Sequence, residues 1–445
     1  MTDAPLVPRF AARRLAEALA DSPAVLIHGP RQCGKTTLAQ ALCAPSHLPG
    51  VRSTDIEQAD RLRYAYLTLD DSAALSAATA DPIGFVADLP PRVVLDEVQR
   101  VPELMSAIKV AIDRDRQAGR FVLTGSTNVL SLPRLSDSLA GRMEIVRLHP
   151  LSQAELSAGR DAQHDPPAMP VWTAERQGFL DELFGGRFGT TAHQRLGREL
   201  ADRICAGGFP AALARPEAWR RSRWYGSYVE TVTQRDVLDL ARIRQLDVMP
   251  RLLTAAAAQT AGLFNVSRLS APFQLSTPAI RDYLALLERL FVIELLPPWH
   301  TNRSKRLVKM PKLHIGDTGV ACWLLGVSPD ALRADRRLLG ALAETFVYGE
   351  LRRQAGWHDA DLRFFHYRDR DGAEVDIVIE RSAAELVGIE VKAAATVAES
   401  DFRGLRKLRN ASGDRFVCGA VLYDGEISAS FGDRLHAVPI RRLWE

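Results

Sequence analysis

From Val25 to Thr37 the chain reads Val-Leu-Ile-His-Gly-Pro-Arg-Gln-Cys-Gly-Lys-Thr-Thr. An apolar strand runs into a glycine loop and then into the start of a helix. Gly29 and Gly34 stand five apart and are followed by Lys35 and Thr36, which is the phosphate-loop pattern. The glycines let backbone N–H groups turn inward onto phosphate oxygens, and the helix beginning near Lys35 adds its positive dipole end. Lys35 would reach the β- and γ-phosphates, and the Thr36 hydroxyl would hold Mg²⁺. Gly29, Pro30, Arg31, Gln32, Cys33, Gly34, Lys35, Thr36 and Thr37 are therefore the expected ATP-binding set. An accidental glycine turn is the plainer alternative, and the strand in front and helix behind argue against it.

Composition sharpens the reading of Lys35. Of 57 basic residues only seven are Lys and fifty are Arg. A compact ammonium and a planar guanidinium do different chemistry, so each remaining Lys marks a place worth inspecting. They are Lys35, Lys109, Lys305, Lys309, Lys312, Lys392 and Lys407. The length of 445 residues exceeds one core and predicts about two to four domains. A net charge of +3 is near neutral for this size, so any nucleic-acid contact must come from local patches. The five cysteines are scattered without metal-ligand spacing, which reads as reduced thiols in a cytoplasmic protein. The first thirty residues lack a secretory apolar core, and no long uncharged apolar run predicts a membrane span.

Past the loop, Thr36 to Leu42 continue a helix, and Tyr66–Asp71 reads as a strand ending in acids. Arg92-Val-Val-Leu-Asp-Glu-Val-Gln99 then predicts a buried parallel strand that delivers Asp96 and Glu97 to the carboxyl edge of a sheet. Ligands bind at that edge in open α/β sheets. Asp96 would hold the Mg²⁺ shell and Glu97 would polarise the attacking water. A solvated acidic turn is the plainer alternative. Phe121–Asn128 is a further apolar strand, whose Thr124 or Ser126 hydroxyl would sense the γ-phosphate. Arg142 follows Gly141 just before another strand. It is either a charge-stabilising Arg at the phosphates or one surface Arg among fifty.

Gly-Pro-Arg-Gln-x-Gly-Lys-Thr-Thr, Leu-Asp-Glu-Val-Gln, Leu-Thr-Gly-Ser and Ser-Leu-Ala-Gly-Arg together resemble a group of bacterial and archaeal AAA-type ATPases. Members carry a helical and winged-helix region and a C-terminal nuclease-like domain. Gly207-Gly-Phe-Pro210, Arg235-Asp-Val237, Lys312 with Asp317-Thr-Gly319, and Glu344 with Phe346-Val347 resemble that group's later motifs. The resemblance implies an α/β fold: a P-loop AAA-type parallel sheet domain over 1–157, a helical connector over 158–245, a winged-helix-like region over 246–335, and a restriction-endonuclease-like α/β domain over 336–445. Cys33 departs from the group, which often has an aliphatic residue there. That change touches packing and redox sensitivity rather than phosphate contact.

In the third region Ser276-Thr-Pro-Ala-Ile280 predicts an N-cap with Pro just inside the helix. Ile280, Tyr283, Leu284, Leu287 and Leu290 then share one face. Ser267, Arg268, Ser276, Thr277 and Arg281 form a sparse basic face, open to either DNA contact or domain packing. Arg303–Lys312 carries five positive charges in ten residues, open to either a phosphate-backbone contact or a solvated hairpin.

In the fourth region Glu390 and Lys392 project from one face of a strand, and Asp376 lies on its neighbour. Two carboxylates and a Lys at a sheet edge would bind Mg²⁺ or Mn²⁺ and activate water against a phosphodiester. Asp376 followed by Glu-x-Lys after thirteen residues resembles the PD-(D/E)XK nuclease superfamily. That resemblance implies Asp376, Glu390 and Lys392 as the core, with Glu344 as an extra metal ligand. A charged edge on a small α/β domain is the plainer alternative.

Two functions follow. One is a Mg²⁺-dependent ATPase whose nucleotide state controls a nuclease acting on DNA. The other is an ATP-driven switch whose nuclease-like domain is catalytically inactive and holds DNA or a partner. A subunit-bridging Arg142 would add a homo-oligomer. A metabolic kinase would need an acceptor domain, and nothing after the first domain resembles one.

Overall fold

The computed structural model describes residues 7–43, 63–126, 139, 141–164, 178–189, 192–240, 245–266, 269, 273, 275–301 and 310–445. The chain divides into two units. The first comprises Met1–Leu151, Glu155–Glu175 and Arg289–Phe291; the second comprises Ser152–Ala154, Arg176–Glu288 and Val292–Glu445.

Short apolar runs build the first unit. Strands β1 (Ala24–His28), β3 (Val93–Asp96) and β4 (Phe121–Gly125) are buried along their whole length, as interior parallel strands are. β2 (Ala65–Thr68) and β5 (Met143–Arg147) are less buried and form the edges. The order is β2-β3-β4-β1-β5, with every neighbouring pair parallel. All five strands therefore end at one edge. Helices Ala11–Asp21, Lys35–Ala41 and Leu104–Arg114 accompany the sheet. Leu104, Ile108 and Ile112 recur at helical spacing and join Leu26, Leu95, Phe121 and Leu123 in one core.

The second unit holds two sheets. β6 (Gly262–Leu263), β7 (Ile293–Leu296) and β8 (Lys312–Ile315) form an antiparallel sheet with β8 in the middle. Helices Val248–Ala257 and Thr277–Arg289 belong to the same region. The Ser276 hydroxyl accepts from the Ala279 N–H at 3.3 Å, as its predicted cap role requires. Ile280, Leu284, Leu287 and Leu290 are buried, with Leu286 beside them. Ser267, Arg268 and Arg303–Lys309 lie outside the described residues.

The larger sheet orders β9 (Arg363–Arg368), β10 (Glu374–Glu380), β11 (Leu386–Lys392), β12 (Phe416–Tyr423), β13 (Ala429–Ser430) and β14 (Leu435–Pro439) as β13-β14-β12-β11-β10-β9. β9, β10 and β11 run antiparallel, whereas β11, β12 and β14 are parallel. The parallel step from β11 to β12 needs a crossover, supplied by helix Arg403–Ser412. That helix lies close on the sheet because Gly404 and Gly388 leave room. A Cβ on Gly404 would sit 1.7 Å from the Glu374 carbonyl oxygen, and one on Gly388 would sit 2.8 Å from Leu405.

Two of the glycine motifs meet in this unit. Asp317 accepts from the Gly319 N–H at 2.9 Å, the Gly208 N–H at 2.8 Å and the Arg353 guanidinium at 3.1 Å. Tyr225 covers the node, and a Cβ on Gly319 would approach its hydroxyl to 2.2 Å. The unit is also tied from its start to its end. The His193 N–H donates to the Glu426 carbonyl at 2.7 Å, Arg442 pairs with Glu182 at 2.6 Å, and Gln354 donates to the Leu443 carbonyl at 2.6 Å.

Candidate functional site

β1 ends at His28, and the loop turns back over the sheet edge. The turn needs glycine at its first position, because a Cβ on Gly29 would lie 1.9 Å from the Leu148 carbonyl oxygen. Gly34 has φ +102° and precedes the helix that starts at Lys35. Pro30 and Cys33 are buried, Arg31 and Thr36 are half-buried, and Gln32 and Thr37 are exposed. Cys33 packs inward, its thiol 3.4 Å from the Leu148 carbonyl. The buried Lys35 ammonium donates to the carbonyls of Gly29 at 3.0 Å and Pro30 at 2.9 Å. His28 lies beneath the loop with Phe291 edge-on at 5.4 Å. Burial, reinforced by Arg147 and Lys35, pushes its imidazole down to about 3.

The parallel register brings the acids to the loop. Asp96 ends β3, and its carboxylate accepts from the Thr36 hydroxyl at 3.2–3.3 Å and from the Tyr66 hydroxyl at 2.6 Å. Thr124 at the end of β4 also donates to Asp96 and accepts from the Glu97 N–H at 3.1 Å. Glu97 turns out of the strand at φ +62°, ψ +43°, a left-handed conformation that a non-glycine residue rarely holds. The turn aims its carboxylate at Ser126, whose hydroxyl donates at 3.2 Å, and at Gln99, whose amide donates to the same oxygen. The Gln99 amide also reaches Ser126 at 3.0 Å. Lys35, Thr36, Asp96, Glu97 and Ser126 thus share one edge. A Thr hydroxyl beside a carboxylate suits a hydrated Mg²⁺. Tyr66 and Gln99 complete the set and were not singled out from sequence. Gln99 lies two residues past Glu97, a spacing that brings it back only through the left-handed turn.

Arg142 is elsewhere. It precedes Met143, which is level with Ala24 at the start of β1, whereas the loop follows His28 at the other end. One strand length, about 15 Å at 3.3 Å per residue, separates the two edges. The guanidinium instead pairs with Asp113, at 2.6 Å and 3.1 Å. Of the two readings of Arg142, parallel register favours the surface Arg within its own chain, since it places the residue at the amino edge.

In the second unit the structure brings Asp376, Glu390, Lys392 and Glu344 together. Asp376 sits at a break in the β9–β10 register, one step beyond the Ile377–Ile389 pair, so it faces Glu390 across the ladder. Its Oδ2 accepts from the Val391 N–H at 3.0 Å, and Lys392 donates to Glu390 at 2.9 Å. Glu344 comes from helix Arg336–Ala355. Between Glu344 and Asp376 lies Lys312, its ammonium 2.7 Å from one and 2.9 Å from the other. Lys312 is 4% exposed, so it belongs neither to a solvated hairpin nor to a surface that meets a phosphate backbone. Among the described residues no group of three or more His, Cys, Asp and Glu is disposed to hold a metal ion. The expected metal ligands Asp376, Glu390 and Glu344 lie together here with the Lys312 ammonium between two of them. Burial, with Asp376 alongside, pushes Glu390 up to about 8 and raises Glu344 well above the usual range. Burial would raise Asp376 as well, but Lys312 and the Val391 N–H outweigh it and hold it low.

An AAA domain model matches residues 21–157, and two domains of unknown function (DUF8612 and DUF4143) match residues 197–331 and 339–443. The first unit accordingly carries an AAA-type P-loop ATPase domain. The uncharacterized protein Rv2008c of Mycobacterium tuberculosis is 29% identical over 439 residues, spanning 98% of this chain and 84% of that one. Mb2031c of Mycobacterium bovis gives the same values. Among solved structures, a Walker-type ATPase of Pyrococcus abyssi covers 72% of this chain and 98% of its own at 16% identity, with a TM-score of 0.37. None of the described helices is long and apolar enough to cross a membrane.

Proposed function

We propose that the chain is a Mg²⁺-dependent ATP-hydrolysing switch whose nucleotide state controls its C-terminal nuclease-like domain, and through it DNA. The observation that carries the ATPase reading is the convergence of Lys35, Thr36, Asp96 and Glu97 at one sheet edge. Thr36 and Asp96 would hold a Mg²⁺ ion, which when bound would supply neutralisation of phosphate charge. Lys35 exchanges the Gly29 and Pro30 carbonyls for phosphate oxygens. Glu97 takes the proton of the attacking water, and Ser126 and Gln99 fix which oxygen is free to do so. Arg142 reaches phosphates only if they belong to another copy of the chain.

The C-terminal domain admits two readings. Asp376, Glu390 and Lys392 on adjoining strands favour phosphodiester cleavage. Pairing of the carboxylates with Lys312 and Lys392 favours an inactive nuclease-like domain that holds DNA or a partner, and we adopt this reading. The test is cleavage of labelled single- and double-stranded DNA with Mg²⁺ or Mn²⁺, with and without ATP, beside Asp376→Ala. Absence of cleavage with ATP still hydrolysed supports the switch. Cleavage lost in Asp376→Ala establishes the nuclease.

A further inference from the structure

Lys312 is one of seven lysines in a chain with fifty arginines. Its ammonium bridges Glu344 and Asp376, and Glu390 stands next to Asp376 with Oε2 buried and unpartnered among the described residues. Glu344 from a helix and Asp376 from a strand thus converge on one compact cation, Lys312, while Glu390 on the next strand pairs with Lys392. A planar guanidinium presents a rigid fork of donors, whereas the ammonium is a compact point charge that two carboxylates can face from different sides, as they would face a metal ion.

We propose that Lys312 is the resident cation of this carboxylate cluster, standing where a nuclease of this architecture would hold its divalent metal and excluding that metal. The inference rests on reading Asp376, Glu390 and Lys392 as a nuclease-like core. Three features support it. A divalent ion bound beside a retained Lys312 would place two cations within hydrogen-bond distance in a buried site, which is strongly unfavourable. Lys312 also lies on β8, the middle strand of its sheet, with its backbone level with Leu263 on one side and Leu296 on the other. That pairing fixes the ammonium in a way a loop lysine would not be fixed. Finally, the cluster borders a cavity of about 910 Å³ lined by Lys312, Glu344, Gln259, Thr260, Arg368 and Glu374, so water and ions reach it from outside. Exclusion is therefore due to charge and not to access.

The test is Mn²⁺ binding by the nucleotide-free full chain, read as Mn²⁺ bound per chain by electron paramagnetic resonance and as the thermal midpoint. Wild type and Asp376→Asn are expected to bind the same amount of Mn²⁺. Lys312→Ala is expected to melt on the order of 10 °C lower, because two carboxylates lose their partner. It is expected to bind one further Mn²⁺ and to recover most of that loss in its presence, and Lys312→Ala/Asp376→Asn is expected to gain neither. Lys312→Gln, which keeps hydrogen bonds to the carboxylates, serves if the alanine variant does not fold. Extra Mn²⁺ in wild type that Asp376→Asn abolishes overturns the proposal and leaves the nuclease-like reading standing. No Mn²⁺ gained by either Lys312 variant overturns the proposal together with the reading of these carboxylates as cation ligands.

Discussion

The Thr36 hydroxyl stands 3.2 Å from Asp96 Oδ2, although sixty residues separate them in the chain. The contact exists because β1 and β3 both flank β4 in a parallel sheet and end at the same level. It joins the loop that binds phosphate to the strand that bears the acids.

Lys35→Ala should weaken ATP binding by about 10- to 100-fold, the loss expected for a charge-assisted hydrogen bond of roughly 1.5–3 kcal/mol. Equilibrium titration with a fluorescent ATP analogue measures it. Unchanged affinity would remove the site assignment.

Glu97→Gln should leave ATP affinity within about threefold and slow turnover by about 10²–10⁴, the range for loss of a general base. Single-turnover hydrolysis separates the two effects. Gln99→Ala should lower turnover less, because it removes only one of the two donors that orient the Glu97 carboxylate.

Arg142→Ala should leave turnover of the isolated chain unchanged, since the guanidinium lies at the amino edge with Asp113. The discriminating measurement is turnover against protein concentration. A loss that appears only at high concentration, and that mixing with Lys35→Ala repairs, would place Arg142 at the phosphates of a second copy.

Acid should destabilise the first unit through His28. Its imidazole titrates at 6.5 when unfolded and near 3 when folded, so the unfolded chain binds the proton more tightly. The stability it contributes is present above 6.5 and is lost as pH falls toward 3, by up to about 1.4 kcal/mol per pH unit. In the second unit His314, also held near 3 by burial with Lys312 adding, acts in the same sense. Glu390, raised to about 8, acts in the opposite one. Thermal midpoints of wild type and His28→Asn across this window should converge at acid pH. Parallel curves would exclude the assignment.

Gly319→Ala should cost about 1–3 kcal/mol by overpacking, because the new methyl would meet the Tyr225 ring and hydroxyl. Denaturant unfolding measures it, and a neutral result would show that Tyr225 has room to move.

The nucleotide site was largely legible in the sequence because its pieces are local. Glycine spacing, an apolar run and a terminal Asp-Glu pair each carry their own structural meaning. Arg142 stayed open between two roles because the Gly-Arg sequence before a strand does not reveal which end of the sheet it occupies; only register does. Tyr66 and Gln99 depend on a neighbouring strand and on a left-handed turn, and neither leaves a pattern. Lys312 was noticed for its rarity and grouped with the basic residues before it, as a phosphate contact or a solvated hairpin. Its partners lie 32 and 64 residues further on, and no local pattern reveals that pairing. The Asp317–Gly319 and Gly207–Phe209 motifs were visible, but their common cause, the node under Tyr225, is a tertiary contact.

The ties between residues near 190 and residues near 430 set an order of events during synthesis. The residues matched by the AAA domain, 21–157, precede all the strands of the larger sheet, and domains generally fold as units from the N-terminus. The second unit does not have that freedom. His193 waits for Glu426, Glu182 for Arg442, and Gln354 for Leu443. Its larger sheet also needs β14 before β12 has both neighbours. A nascent chain stalled shortly before β14 should carry a formed phosphate loop and an unclosed second unit. Nucleotide binding then precedes completion of the domain it is proposed to control.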